Sequence, residues 1–214
     1  MIIVAGAGRC GTSLMMQTLK LLGIPLVGNP EARDNHCLWQ MYERENNTIV
    51  DTGERTENTK GYYELSLQEL NELIDGTYKE ETQGRAVKFN TDQVVAIDND
   101  CVEAVIFCRR RSMFDQAQSM KKLSDKDLRI KNKLNIEECF ADIYSAVKTE
   151  DWLTYMIMHN NMIERWLRAS TFKSMTVWFE DMVSDPEPII QHLGDFLELD
   201  NPDISEALKN VDIR

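Results

Sequence analysis

Short runs rich in apolar residues alternate with longer amphipathic stretches along this 214-residue chain. The short runs, which are typical of buried strands, lie at 2–5, 24–27, 85–89, 104–108 and 174–179. The clearest amphipathic stretch, 13–22, has helical spacing and is followed by Gly23 as a predicted helix C-terminal residue. Strands that alternate with helices are typical of a parallel sheet covered on both faces. We therefore predict an α/β fold with three α/β/α layers and a central parallel sheet of about five strands.

A glycine turn connects the first predicted strand to the first predicted helix. Gly6, Gly8 and Gly11 all lie within it. Glycines let backbone N–H groups approach an anion closely, and a helix N-terminus adds partial positive charge. Thr12 and Ser13 are candidates both to cap the helix and to bind phosphate. The sequence therefore predicts a phosphate-binding loop.

Three phosphate ligands compete for this loop. Gly6 and Gly11 have the spacing of a P-loop NTPase, but Thr12 stands where that motif needs lysine. The loop also fits G-x-G-x-x-G, a dinucleotide turn, which requires an acidic residue at the end of the second strand. Only Glu31 lies near that position. The third interpretation rests on Arg9, a cation inside the loop, because a fixed guanidinium can neutralise charge on phosphate and sulfate oxygens.

The segment Gly6-Ala-Gly8-Arg9-Cys10-Gly11-Thr12-Ser13-Leu14-Met15 resembles the 5′-phosphosulfate loop of bacterial-type sulfotransferases. That loop reads approximately Gly-x-x-Arg-Ser-Gly-Thr-Ser-Leu-Leu, so Cys10 replaces the usual serine. The resemblance implies a P-loop-like fold and 3′-phosphoadenylyl sulfate (PAPS) as donor, with adenosine 3′,5′-bisphosphate (PAP) as product. It also implies donor contacts from Gly8, Arg9, Cys10, Gly11, Thr12 and Ser13. No metal is expected to be required, since Arg9 supplies the cation.

A second segment with family resemblance follows the strand at 104–108. Arg111, Asp115 and Ser119 have the spacing of the sulfotransferase 3′-phosphate site, which is Arg, three residues, Asp, three residues, Ser. The resemblance implies that Arg111 and Ser119 hold the 3′-phosphate and that Asp115 orients the arginine. The family usually has proline where Met113 stands, so the local turn is expected to differ.

Three further segments support the resemblance and keep the family order. Residues 178–186 resemble its late strand-to-helix element, and 58–64 resemble an Asn-Pro-Lys-Gly-Phe-Phe-Glu segment. Lys88 lies on a predicted strand where the family often has a lysine near the donor, which implies a role in neutralising the transferring group. The acceptor must lose a proton, so a general base is desirable. Glu64 is one candidate, and His36 is another.

Composition narrows the classes of partner and setting. The net charge of −12 argues against nucleic acid and anionic membranes as partners. No apolar run approaches the length of a membrane span, and no leader precedes the first strand, so we expect a cytoplasmic protein. The five cysteines lack zinc-site spacing and fit reduced thiols. At this length, 1–214 fits a single domain.

The sequence therefore predicts a PAPS-dependent sulfotransferase that modifies a hydroxyl or amine of a small-molecule or glycan acceptor. Two alternatives remain: an ATP-dependent small-molecule kinase on a P-loop fold, and a non-catalytic nucleotide-binding protein of the same fold. Residues 29–60 and 124–135 are polar and poorly periodic, and we expect them to be irregular segments around the site. The sequence identifies neither the acceptor nor the oligomeric state.

Overall fold

The computed structural model describes residues 1–27, 82–90, 94, 96–134 and 147–211. Its sheet contains four parallel strands in the order β2-β1-β3-β4. The strands are β1 (Ile2–Gly6), β2 (Ala86–Asn90), β3 (Ala104–Arg109) and β4 (Lys173–Trp178). The helices are α1 (Thr12–Leu21), α2 (Met113–Leu134), α3 (Thr149–Ala169), α4 (Phe179–Ser184), α5 (Pro186–Phe196) and α6 (Ile204–Val211), with a 3₁₀ turn at Asn99–Cys101.

Alternate residues of the strands belong to two separate hydrophobic cores, which is expected because successive side chains of a strand point to opposite faces of the sheet. On one face, even-numbered β1 residues such as Val4 pack with Leu19 of α1 and Leu193 of α5. On the other face, odd-numbered residues such as Ile3 pack with Ile163 of α3. The described residues thus form three layers around a fully covered central strand, and the predicted α/β fold class is confirmed.

One of the five predicted strands is reduced to a single bridge. Leu26 of the 24–27 segment bridges Ala86 in parallel orientation. Ala86 donates to the Pro25 carbonyl at 2.9 Å, and Val27 donates to the Ala86 carbonyl at 2.9 Å. Pro25 itself has no N–H group to extend this ladder, so the segment lies beside β2 without becoming a full strand.

The ends of α1 follow the prediction closely, whereas the length of α2 differs from what the sequence predicts. Helix α1 ends at Leu21, and Gly23 adopts a left-handed φ of 91°, as expected for a residue after a helix C-cap. The expectation of an irregular 124–135 segment is wrong, because α2 continues to Leu134. The helix has no glycine or proline to stop it, and Lys121 pairs with Asp125 one turn later.

Within the described ranges, no helix is long and apolar enough to cross a membrane.

Candidate anion-binding site at the carboxyl ends of the strands

The loop between β1 and α1 has the backbone geometry of an anion cradle. Arg9 and Gly11 both adopt left-handed conformations, with φ of 66° and 93°. Left-handed residues within a tight turn gather successive N–H groups on one side. Gly11 is the N-cap of α1, and no side chain caps the helix, so the expected capping by Thr12 or Ser13 is wrong. Thr12 and Ser13 are instead the first two helical residues, whose amides have no intrahelical partner.

Close packing makes glycine necessary at two positions of the loop. A Cβ atom at Gly6 would overlap Cys10 Sγ and lie 2.8 Å from the Cys108 carbonyl oxygen. A Cβ atom at Gly11 would lie 2.6 Å from Cδ2 of Phe179. The backbone of the loop therefore contacts β3 and the start of α4 directly, and side chains at these positions would displace it.

Gln116 of α2, which is fully buried, fixes the orientation of the loop. Its Nε2 donates to the carbonyls of Ala7 at 3.1 Å and Gly8 at 2.8 Å. In a trans peptide the N–H of the next residue points away from the carbonyl. Holding these two carbonyls inward therefore turns the amides of Gly8 and Arg9 outward. The sequence analysis did not identify Gln116, although a polar side chain on a helix face shared with Met113 and Met120 was a visible signal.

Lys88 lies beneath the start of α1. In the β2–β1 register it pairs with Val4, so its side chain lies on the face that α1 covers. It is only 5% exposed, and its Nζ donates to Ser13 Oγ at 3.3 Å. A buried ammonium requires hydrogen-bonding partners or an anion. Lys88 therefore contacts the first turn of α1, and its role in neutralising the transferring group stays a prediction.

Arg9 connects the loop to the second predicted motif. Its Nε donates to Ser119 Oγ at 3.1 Å, across 110 residues of sequence. Ser119 lies two turns into α2, whose first turn is capped by Ser112, the acceptor of the Asp115 amide at 3.1 Å. The helix therefore begins where the sequence predicts. The loop after β1 and the segment after β3, which carry the two most specific motifs, therefore meet at the contact between Arg9 and Ser119.

Arg111 is oriented by the late strand-to-helix element and not by Asp115. Its Nη2 donates to both carboxylate oxygens of Asp181, at 2.7 and 2.8 Å, and its backbone N–H donates to Glu180 at 3.1 Å. The Asp181 contact raises the pKa of the Arg111 guanidinium. Asp115 is exposed on the first turn of α2. The expected orienting role of Asp115 thus falls to Asp181, which the sequence placed in a different motif.

Arg109 and Arg110 lie on opposite faces of the sheet. Arg109 forms an ion pair with Glu164 of α3 at 2.6 Å, and its guanidinium carbon lies 4.9 Å from the ring centroid of Trp178. Arg110 continues the α1 side of β3, and its guanidinium carbon lies 4.4 Å from the ring centroid of Phe179. The sequence did not predict the contribution of Phe179, which touches both Gly11 and Arg110.

Cys10, where the family has serine, belongs to the core. It is 1% exposed, and it lines a small apolar cavity with Cys108, Val177 and Met182. Burial raises the pKa of its thiol to about 12, although an amide hydrogen bond from Thr12 acts in the opposite direction. Cys10 is therefore neutral at physiological pH, and its side chain packs under the loop.

The two candidates for the general base, Glu64 and His36, lie outside the described residues. Their roles stay predictions, as does the resemblance of the 58–64 segment. In the parts of the chain that are described, no group of three or more His, Cys, Asp or Glu residues is arranged to hold a metal.

The structure is similar to two solved sulfotransferases. Sulfotransferase STF9 from Mycobacterium avium aligns with a TM-score of 0.57 at 12% identity, over 99% of this chain and 66% of that protein. The sulfotransferase domain from the curacin biosynthetic pathway aligns with a TM-score of 0.51 at 14% identity, over 98% of this chain and 76% of that domain. No family model and no curated protein matches the sequence. The chain therefore has the sulfotransferase fold, and it spans about two thirds of the length of the Mycobacterium avium protein.

Proposed function

We propose that this chain transfers a sulfuryl group from PAPS to a hydroxyl or amine of a small-molecule or glycan acceptor. The observation that carries the proposal is the hydrogen bond from Arg9 to Ser119. It brings the predicted 5′-phosphosulfate loop and the predicted 3′-phosphate segment to one place, as a donor with both groups requires. The sulfotransferase fold supports the same function.

In this proposal, different residues bind the two anionic ends of the donor. The outward amides of Gly8 and Arg9, together with Thr12 and Ser13 at the start of α1, bind the 5′-phosphosulfate. Arg111 and Ser119 bind the 3′-phosphate. Arg111 uses Nη2 for Asp181, so among its contacts with described residues the Nε and Nη1 donors remain for phosphate oxygens.

The proposed reaction is an in-line displacement at sulfur. The acceptor oxygen or nitrogen forms a bond to sulfur while the bond between sulfur and the bridging oxygen breaks. The acceptor proton passes to a general base, for which Glu64 and His36 remain the proposed candidates, and the bridging oxygen leaves on adenosine 3′,5′-bisphosphate. Arg9 and Lys88 neutralise the negative charge that develops on the leaving phosphate. Each does so from a position fixed by a hydroxyl, on Ser119 and Ser13 respectively.

The proposed setting is a reducing cytoplasm, without a metal requirement. Cys10, Cys101 and Cys108 are free thiols and are buried. The kinase alternative would need a lysine in the loop, where Thr12 stands.

A thermal melt without magnesium tests the proposal directly. Adenosine 3′,5′-bisphosphate at about 100 times its Kd should add about 2.7 kcal/mol of stability. For a chain of this size, that is a rise in Tm of about 5–11 °C. Stabilisation by ATP that requires magnesium, with none from the bisphosphate, would support the kinase. Transfer of label from ³⁵S-labelled PAPS to an acceptor library then separates an enzyme from a protein that only binds nucleotide.

A further inference from the structure

Among the described residues, Arg110 differs from both of its arginine neighbours in having no acidic partner. Arg109 pairs with Glu164 at 2.6 Å, and Arg111 pairs with Asp181 at 2.7 Å. Among the residues that the structure describes, Arg110 forms neither a hydrogen bond nor an ion pair, and its Nε is buried without an acceptor. Its guanidinium carbon lies 4.4 Å from the centroid of the Phe179 ring.

Phe179 places this guanidinium beside the phosphate loop. The ring lies against Gly11, because a Cβ atom there would come within 2.6 Å of Cδ2. Gly11 is the N-cap of α1, so the same ring contacts both Arg110 and the N-terminal end of the helix. The charge of Arg110 also acts on the Cys10 thiol inside the loop, where it lowers the pKa more than Lys88 does, although burial dominates.

The buried Nε–H group of Arg110 carries an energetic cost, although the side chain as a whole is partly exposed. Burying a charged N–H donor without a hydrogen-bond acceptor is unfavourable. Contact with an aromatic face offsets only part of that cost. The chain has a net charge of −12, so acidic partners are abundant, and Arg110 nevertheless has none among the described residues. An anion bound at the loop would supply the missing acceptor.

We propose that Arg110 is an additional anion-binding residue of the donor site, acting on the 5′-phosphosulfate end. This inference rests on the proposed function and adds to it a residue for which the family resemblance gave no role. The 5′ end is favoured because Phe179, which anchors Arg110, packs on the N-cap of α1. The 3′-phosphate is left to Arg111 and Ser119. The chemical class recognised is a phosphate anhydride or similar compact polyanion.

Arg110→Met tests this, because methionine keeps an aliphatic stem beside Phe179 and removes only the charge and donors. Isothermal titration without magnesium would measure AMP, adenosine 3′,5′-bisphosphate and inorganic pyrophosphate. We expect all three affinities to fall by about 10- to 100-fold, the value of a charge-assisted contact to phosphate. The preference for bisphosphate over AMP should not change. The unliganded Tm should stay level or rise, because an uncompensated cation has been removed.

Arg109→Met is the matched control. It breaks the pair with Glu164, so it should lower the unliganded Tm and leave the three affinities unchanged. Unchanged affinities in Arg110→Met would overturn the inference, as would a loss confined to the bisphosphate, which would assign Arg110 to the 3′-phosphate. If the wild type binds neither nucleotide, the proposed function fails, and pyrophosphate alone decides the role of Arg110. Absence of pyrophosphate binding by the wild type would also overturn it.

Discussion

Substituting alanine for Gly11 separates backbone strain from steric overlap in the loop between β1 and α1. Gly11 and Gly23 have nearly the same left-handed backbone, with φ of 93° and 91°. A Cβ atom at Gly23 meets nothing within 4 Å, whereas one at Gly11 would lie 2.6 Å from the ring of Phe179. Gly23→Ala is therefore a matched control that carries the strain without the overlap.

The difference between the two variants isolates the contact with Phe179. A left-handed alanine costs about 1–2 kcal/mol at either position, and the reduced entropy of the unfolded chain returns about 0.4–1 kcal/mol in both. Overpacking adds about 1–3 kcal/mol for Gly11→Ala alone. We therefore expect Gly11→Ala to be less stable than Gly23→Ala by about 1–3 kcal/mol, or about 2–12 °C in Tm.

Urea and thermal unfolding of the two variants measure this difference, and a double-mutant cycle with Phe179→Leu assigns it. If the ring causes the overlap, the double variant should be more stable than the sum of the single changes by about the overpacking energy. The bisphosphate-dependent rise in Tm should be preserved in Gly23→Ala and reduced in Gly11→Ala. Equal destabilisation by the two alanines would show that the ring yields freely, and the argument from packing would be wrong.

Three other substitutions test the remaining parts of the site. Arg9→Ala should reduce turnover by about 10²-fold or more with little change in Tm, because it removes one preorganised donor; near-wild-type turnover would exclude a catalytic role. Arg111→Ala should weaken the bisphosphate by about 10- to 100-fold and leave AMP unaffected in titrations; equal losses would place Arg111 elsewhere. Because burial raises the pKa of the Cys10 thiol from 9.0 to about 12, stability should decline as the pH rises through this range, where only the unfolded thiol loses its proton. Urea unfolding between pH 9 and 12 should show a smaller loss of stability with pH for Cys10→Ser than for the wild type. An identical loss in the two proteins would contradict the raised pKa of the Cys10 thiol.

Local patterns predicted the scaffold and the bounds of the elements that carry the candidate site, since strand periodicity and glycine positions act over a few residues. Strand β1, helix α1 and the start of α2 all lie within a residue or two of their predicted bounds. Which side chains pair with each other was harder to predict from the sequence. Asp115 has the family spacing to Arg111, yet Asp181 is the carboxylate that the fold brings to it, across 70 residues. No periodicity encodes that contact, because it depends on how β3 and β4 pair.

The role of Gln116 was missed for a related reason. A polar residue on an apolar helix face is visible in the sequence, but its acceptors, the carbonyls of Ala7 and Gly8, belong to backbone that precedes it by more than 100 residues. The extra turns of α2 were not predicted because residues 124–135 are polar and poorly periodic, although the segment lacks the glycine and proline residues that break helices.

The hydrogen bonds from Gln116 have a thermodynamic consequence for the loop. They hold the carbonyls of Ala7 and Gly8 in place, so under the proposed function the loop would lose its conformational entropy when the protein folds and not when an anion binds. A preorganised loop gives up little freedom on association, and more of its contact energy appears as affinity.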